Sequence, residues 1–346
     1  MYPRVLTVQD ISCLGQCSLT VALPIISACA CECCILPSAV LSTHTGGFTG
    51  FTFRDLSEDI PKIREHWQKE GISFDGIYTG YLGSERQIDM VVDLFRNVAR
   101  EGALCIVDPA MGDHGALYTG FDMNYAHAMA RLCGEADVIL PNVTEACFMT
   151  DTPYSETFDK EWIEMLLSRL FALGAPRVVL TGVAYTEGKT GVLVATKDGG
   201  RFHYEHEKVG KGYHGTGDVY ASAFTGALMQ GKSAEDAACL AADFTVAAIR
   251  ATVGDDSHPY GVKFEKVLSR LTCEFGDKEQ FENAADVVCR VFLLELLHEI
   301  GKMGEDHLGG RQVGMPHFLP FEGEIAVISV LKQAVDDGNE GNVSLP

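Results

Sequence analysis

"FDGIYTGYLGSERQIDMVVDLFRNVAREGALCIVDP", residues 74–109, carries the pattern on which the fold turns. "FDGIYTG" is a short β-rich apolar run closed by glycine. "ERQIDMVVDLFRNVAR" (85–100) repeats its apolar residues at helical spacing, and "ALCIVDP" (103–109) is a second short apolar run. Strand, helix and strand in this order imply a right-handed crossover between parallel neighbours. The alternation extends both ways. "RVLTVQD" (4–10), "DVILPN" (137–142) and "RVVLTG" (177–182) read as further strands, and "PKIREHWQKEG" (61–71) and "EWIEMLLSRLFALG" (161–174) as further helices. The predicted class is α/β, with a mainly parallel central sheet covered by helices on both faces.

Composition narrows the function. The 346 residues are 47% apolar and 22% charged, enough for one large domain or one domain with an appendage. A formal net charge of −21 argues against nucleic acid, whose affinity rests on Lys and Arg neutralising phosphates. A small-molecule substrate is expected. No run long enough for a membrane span and no export signal is read, so the chain is expected to be cytoplasmic, with its 12 cysteines as reduced thiols. "CACECC" (29–34) lacks zinc-site spacing and reads as small apolar residues between a helix end and a strand.

Open α/β sheets bind ligands beyond the carboxyl ends of their strands. The residues at those exits are Asp10, Gly80 with Tyr81, Asp108, Asn142 and Thr181. Each alone reads first as a turn former or cap; five together outline a site. "KGYHGTGDVY" (211–220) adds a glycine-flanked entry to a helix. Gly215, Thr216 and Gly217 would present main-chain N–H groups to a phosphate, and Asp218, on the first helical turn, is placed to take a proton from an alcohol attacking phosphorus. The same residues also suit a plain capped turn, and the local sequence does not choose. "VDPAMGD" puts Asp108 and Asp113 in one loop, and "PNVTEA" puts Asn142 and Glu145 on one side of a first turn. Hard oxygen groups of this kind suit Mg²⁺, through water, as a nucleotide triphosphate would bring it. No Walker motif is present.

From about Val5 to Leu271 these motifs resemble the ribokinase-like superfamily, and within it the pyridoxal/pyridoxamine (vitamin B6) kinases: "LSTHTGGF", "YTGYLGS", "VDPAMGD" with "GALY", "LPNVTEA", "LTG" and "HGTGD". The resemblance implies a ribokinase-like three-layer sandwich and ATP- and Mg²⁺-dependent phosphorylation of the 5′-hydroxymethyl of a B6 vitamer. It implies Asp218 as catalytic base and Gly215 to Gly217 as the anion hole. Asp108, Asn142 and Glu145 become the magnesium and phosphate network, with Asp108 and Glu145 toward the metal and Thr181 near the nucleotide phosphates. Thr43, His44 and Tyr81 fall where the family contacts the pyridine, and Tyr118 in the loop that closes over the site. A homodimer is the expected state. The chain departs from the pattern at Asp10-Ile11, where many pyridoxal kinases read Ser-His. Asp10 there would either favour a cationic group on the substrate or cap the next segment. A hydroxymethylpyrimidine kinase is the rival enzyme, often with Cys where Asp218 stands. A vitamer-binding sensor is the non-enzymatic rival, and it would have no need of the base and metal set.

"RFHYEHEK" (201–208) reads as an exposed hairpin strand, and "YGVKFEKVLSRL" (260–271) as the helix closing a kinase domain of residues 1–271. Residues 272–346 are acidic and lie beyond the resemblance. "ENAADVVCRVFLLELLHEIGKM" (282–303) reads as an apolar-faced helix, giving a mostly helical extension of unassigned role.

Overall fold

The computed structural model describes residues 2–276 apart from residue 211, so the extension predicted over 272–346 lies almost wholly outside the described residues. In chain order the elements are β1 (Arg4–Ser12), α1 (Leu19–Ala28), β2 (Glu32–Leu41), β3 (Phe53–Asp55), α2 (Ile60–Lys69), β4 (Phe74–Thr79), α3 (Glu85–Asn97) and β5 (Ala99–Val107). The two-residue strands β6 (Gly112–Asp113) and β7 (Ala116–Leu117) precede α4 (Met123–Gly134), β8 (Val138–Ile139), α5 (Val143–Met149), α6 (Lys160–Leu173), β9 (Arg177–Thr181), β10 (Lys189–Thr196) and β11 (Arg201–Glu207). Then come α7 (Thr216–Met229), α8 (Ala234–Thr252), a 3₁₀ turn (Phe264–Val267) and α9 (Ser269–Phe275).

One nine-stranded sheet runs β11-β10-β9-β8-β5-β4-β1-β2-β3. The strands from β2 to β9 in that order are all parallel, while β3, β10 and β11 join antiparallel at the edges. Alternation within each strand sorts the core into two layers. Leu6, Val8, Ile77, Val107, Ile139 and Val178 face α2 to α6. Val5, Tyr78, Ile106, Val138 and Val179 face α1, α7 and α8. Burial on both faces is why these strands read as nearly continuous apolar runs. The sheet grows outward in both directions from β1, and the carboxyl ends around β1 and β4 form the switch point where a ligand crevice opens.

The structure moves three boundaries. The helix predicted to reach Arg100 ends at Asn97, because Ala99 already pairs with Phe74 as β5 begins. β1 passes through Asp10 to Ser12, where Ile11 and Ser12 pair with Val40 and Leu41. The helix predicted over 260–271 is split: Gly261, at φ 154°, packs on the Gln16 side chain, and regular α-helix starts only at Ser269. β11 is an edge strand hydrogen-bonded to β10 as a hairpin. In "CACECC", Cys29 and Cys31 are buried at the end of α1, and Cys29 packs against Gly226 of α7, where a side chain would collide with its Sγ at 2.6 Å. All the described cysteines are free thiols.

Candidate active site

α7 begins at the crevice. Gly215 is its N-cap in the left-handed region (φ 74°), and a methyl group there would overlap the Gln16 carbonyl of the loop after β1. Glycine is therefore required at this position. Gly217 faces open space, with nothing within 4 Å of where its Cβ would stand. The first turn of α7 thus leaves room beside Gly217, as an anion-binding turn needs.

Asp218 is half-buried on this turn. Burial pushes its carboxyl up to about 7, the nearby Asp10 adds to the rise, and the main-chain N–H of Ser18 opposes it. A carboxylate in that range switches protonation near neutral pH, as a general base must. Asp10 is 3% exposed inside β1, accepts from Ser12 Oγ at 2.9 Å and faces the Ser18 hydroxyl; burial raises its pKa as well. It also lies near Tyr81, whose hydroxyl is pushed up to about 12 by burial and by that carboxylate. Asp10 therefore sits among serine hydroxyls beneath the crevice rather than capping a turn.

A second acidic group lies across the crevice. Asp108 is 7% exposed at the end of β5 and held well above the carboxylate range, first by burial and then by Glu145 and Asp218. Glu145, 2% exposed, is pushed up to about 7 by burial against three main-chain donors. Its Oε1 accepts from Met111 N–H at 3.0 Å and its Oε2 from Asn142 N–H at 2.9 Å. Asn142 closes a capping box on α5 and donates from Nδ2 to the Gly112 carbonyl at 2.9 Å. The pair thus clamps the loop 108–117 onto α5. Thr181, at the end of β9, bridges to Asn142. Tyr118 leaves the same loop with its hydroxyl pushed up by burial and by Glu145, Asp113, Asp218 and Asp108.

In the loop after β2, Thr43 Oγ1 is buried without a hydrogen-bond partner. Both ring nitrogens of His44 are engaged: Nε2 donates to the Tyr260 carbonyl at 3.0 Å and Nδ1 accepts from Gly46 N–H at 3.1 Å. Its ring lies 5.2 Å from that of His214, which covers Gly46 so closely that a Cβ there would be 2.6 Å from Nδ1. The loop after β2 is thereby joined to the turn that leads into α7.

Among the described residues, no three His, Cys, Asp or Glu side chains converge at direct metal-ligand geometry. Asp108 and Glu145 fit a hard cation through intervening water: both carboxyls are buried and raised, Asp108 in part by Glu145 and Glu145 in part by Asp113, a donor set calling for positive charge. No described helix is long and apolar enough to cross a membrane.

Residues 23–261, more than half of the chain, match the family described as phosphomethylpyrimidine kinase. The chain belongs to that family. A Bacteroides thetaiotaomicron protein designated a phosphomethylpyrimidine kinase, crystallised with pyridoxal, is 39% identical with a TM-score of 0.74, covering 78% of this chain and 96% of that one. The pyridoxal kinase of Lactobacillus plantarum is 32% identical, with a TM-score of 0.72 over 78% of this chain and 97% of that one. The fold is therefore ribokinase-like. Two Bacillus subtilis relatives divide on substrate. The pyridoxine kinase is 29% identical over 52% of this chain and 66% of its own length. The hydroxymethylpyrimidine/phosphomethylpyrimidine kinase is 28% identical over 63% of this chain and 78% of its own length.

Within this family fold, some residues at the crevice carried no legible signal. Gln16 and Cys17 pack on the α7 turn, yet "GQCS" holds no catalytic spacing. Tyr78 and Gln9 lie fully buried side by side in neighbouring strands, Tyr78 near enough to Asp108 and Asp218 for their charge to add to the rise that burial gives its hydroxyl. In the sequence neither stands in a motif with catalytic spacing.

Proposed function

We propose that this chain is an ATP-dependent kinase that phosphorylates the 5′-hydroxymethyl of a B6 vitamer. The observation that carries the reading is Asp218, its pKa pushed up to about 7, on the first turn of a helix that begins at the left-handed Gly215 and leaves open space beside Gly217. Asp218 takes the hydroxymethyl proton as that oxygen attacks the terminal phosphorus and the bond from that phosphorus to the bridging oxygen breaks, releasing ADP; the Gly215 to Gly217 turn receives the charge on the transferred group. Asp108 and Glu145 would hold Mg²⁺ through water, and the ion would supply neutralising charge to the nucleotide phosphates. Thr181 and Tyr118 flank the phosphates; Thr43, His44, Tyr81 and Asp10 surround the ring. Pyridoxal in the 39%-identical Bacteroides structure supports the choice of vitamer. The second reading, a hydroxymethylpyrimidine kinase, is favoured by the family match and the second Bacillus relative. ADP release with ATP and Mg²⁺ across pyridoxal, pyridoxamine, pyridoxine and hydroxymethylpyrimidine separates the two. A kcat/KM higher for the pyrimidine than for every vitamer would overturn the first reading, and no turnover with any of them would overturn both.

A further inference from the structure

The hairpin of β6 and β7 is too small to hold its shape unaided. It has two register pairs, Gly112 with Leu117 and Asp113 with Ala116, so that His114 and Gly115 form a two-residue turn between them. Both turn residues are left-handed, at φ 51° and 75°, as a type I′ turn requires. For His114, which carries a side chain, that conformation is costly. A two-stranded hairpin is marginal in water at best, so contacts from outside must fix this one.

Those contacts come from α5 and the segment that follows it. At the base, Glu145 accepts from Met111 N–H and Asn142 donates to the Gly112 carbonyl. At the tip, Gly115 N–H donates to Thr144 Oγ1 at 3.0 Å, and Thr144 is only 3% exposed. The Tyr154 ring covers the same glycine: a Gly115 Cβ would stand 2.6 Å from Cδ1 and 2.9 Å from Cε1. Asp113, His114 and Ala116 beside it are exposed. From this seat the tip reaches the segment that leads into α7, with His114 Nε2 3.9 Å from where a Gly212 Cβ would be. The hairpin thus spans from α5, on the Asp108 and Glu145 side of the crevice, to the approach of the Gly215 turn.

We infer that Thr144 and Tyr154 are positioning residues for phosphoryl transfer: by gripping Gly115 they seat the hairpin tip across the crevice and keep water from the transferred phosphoryl group. This rests on the kinase reading. A covering segment that seats badly admits water, which attacks the terminal phosphorus in place of the alcohol. The bond to the bridging oxygen breaks as before, a proton goes to solvent, and ADP leaves with inorganic phosphate instead of a phosphorylated acceptor.

The test uses the full-length chain with Thr144→Val, Thr144→Ser, Tyr154→Ala and Tyr154→Phe. Two quantities are read: hydrogen exchange of the amides of residues 112–118, and the ratio of inorganic phosphate released to acceptor phosphorylated, with ATP, Mg²⁺ and whichever of the four acceptors turns over fastest. Valine keeps the shape of threonine and removes the oxygen. Thr144→Val should speed exchange in the hairpin by about 3- to 10-fold, the scale of one lost hydrogen bond, and raise the ratio by a similar factor. Thr144→Ser, which keeps the hydroxyl, should recover most of both. Tyr154→Ala should act as Thr144→Val does, and Tyr154→Phe, which keeps the ring, should recover most of that loss. Unchanged exchange in both Thr144→Val and Tyr154→Ala overturns the grip, and faster exchange with an unchanged ratio overturns its role in the reaction; either result sinks the inference. A wild-type chain that turns over none of the four acceptors overturns the kinase reading and takes the role of the grip with it, whatever the exchange rates.

Discussion

Two glycines in one turn separate folding from chemistry. At Gly215 the main chain is left-handed and a methyl group would overlap the Gln16 carbonyl, so Gly215→Ala meets a left-handed penalty of about 1–2 kcal/mol and a packing clash of about 1–3 kcal/mol. The sum, about 2–5 kcal/mol, should be visible in urea unfolding as a lower midpoint. Gly217 lies inside α7 with nothing within 4 Å of its missing Cβ. Gly217→Ala should therefore leave stability unchanged or raise it by up to about 0.5–1 kcal/mol, the usual gain for alanine over glycine in a helix. On the proposed function its methyl group would stand where the transferred phosphoryl group approaches the turn, and kcat should fall by about 10²–10³, the scale of losing one N–H donor. Unfolding midpoints and steady-state ADP release, measured on the same preparations, give both axes. A Gly217→Ala protein of wild-type stability and wild-type kcat would refute the anion turn as the site of phosphoryl transfer.

Asp218→Asn should lower kcat by about 10²–10⁴ with ATP binding by calorimetry retained; near-normal turnover would exclude it as the base. With its pKa at about 7, kcat/KM should rise with pH to about 7 and then level off. The stability sign is the reverse. A raised carboxyl pKa contributes stability in full below the ordinary carboxylate range of about 4 and loses it as pH rises to about 7, so Asp218→Asn should melt above the wild type at pH 8. Asp10→Asn removes the negative charge that raises Asp218 and should shift the acid limb of the pH–rate profile to lower pH; an unmoved limb would show that the two carboxylates do not communicate. A chain ending at Gly276 retains α9, anchored where Lys232 pairs with Glu274 and lies over the Phe275 ring, and it should keep measurable kinase activity in the same ADP assay; complete inactivity in a well-folded protein would place part of the site in the extension.

The sequence by itself determined the α/β class, the strands β1, β4, β5, β8 and β9 and the glycine turn into α7. These depend on local periodicity and on main-chain sterics that are written residue by residue. It also put Asp108, Asn142, Thr181 and Asp218 near the ends of strands or the starts of helices, where a parallel sheet gathers ligands. Only the tertiary structure decided what those side chains do to one another. Asn142 and Glu145, three apart, look alike whether they face a ligand or cap a helix; Gly112 and Met111, brought from another loop, show them clamping the loop 108–117. Asp10 reads as a strand exit until β2 pairs with Ile11 and Ser12 and carries the strand past it. The pKa of Asp218 is likewise absent from "HGTGD", because desolvation and the field of Asp10, 208 positions away in the chain, exist only once β1 and α7 are packed together.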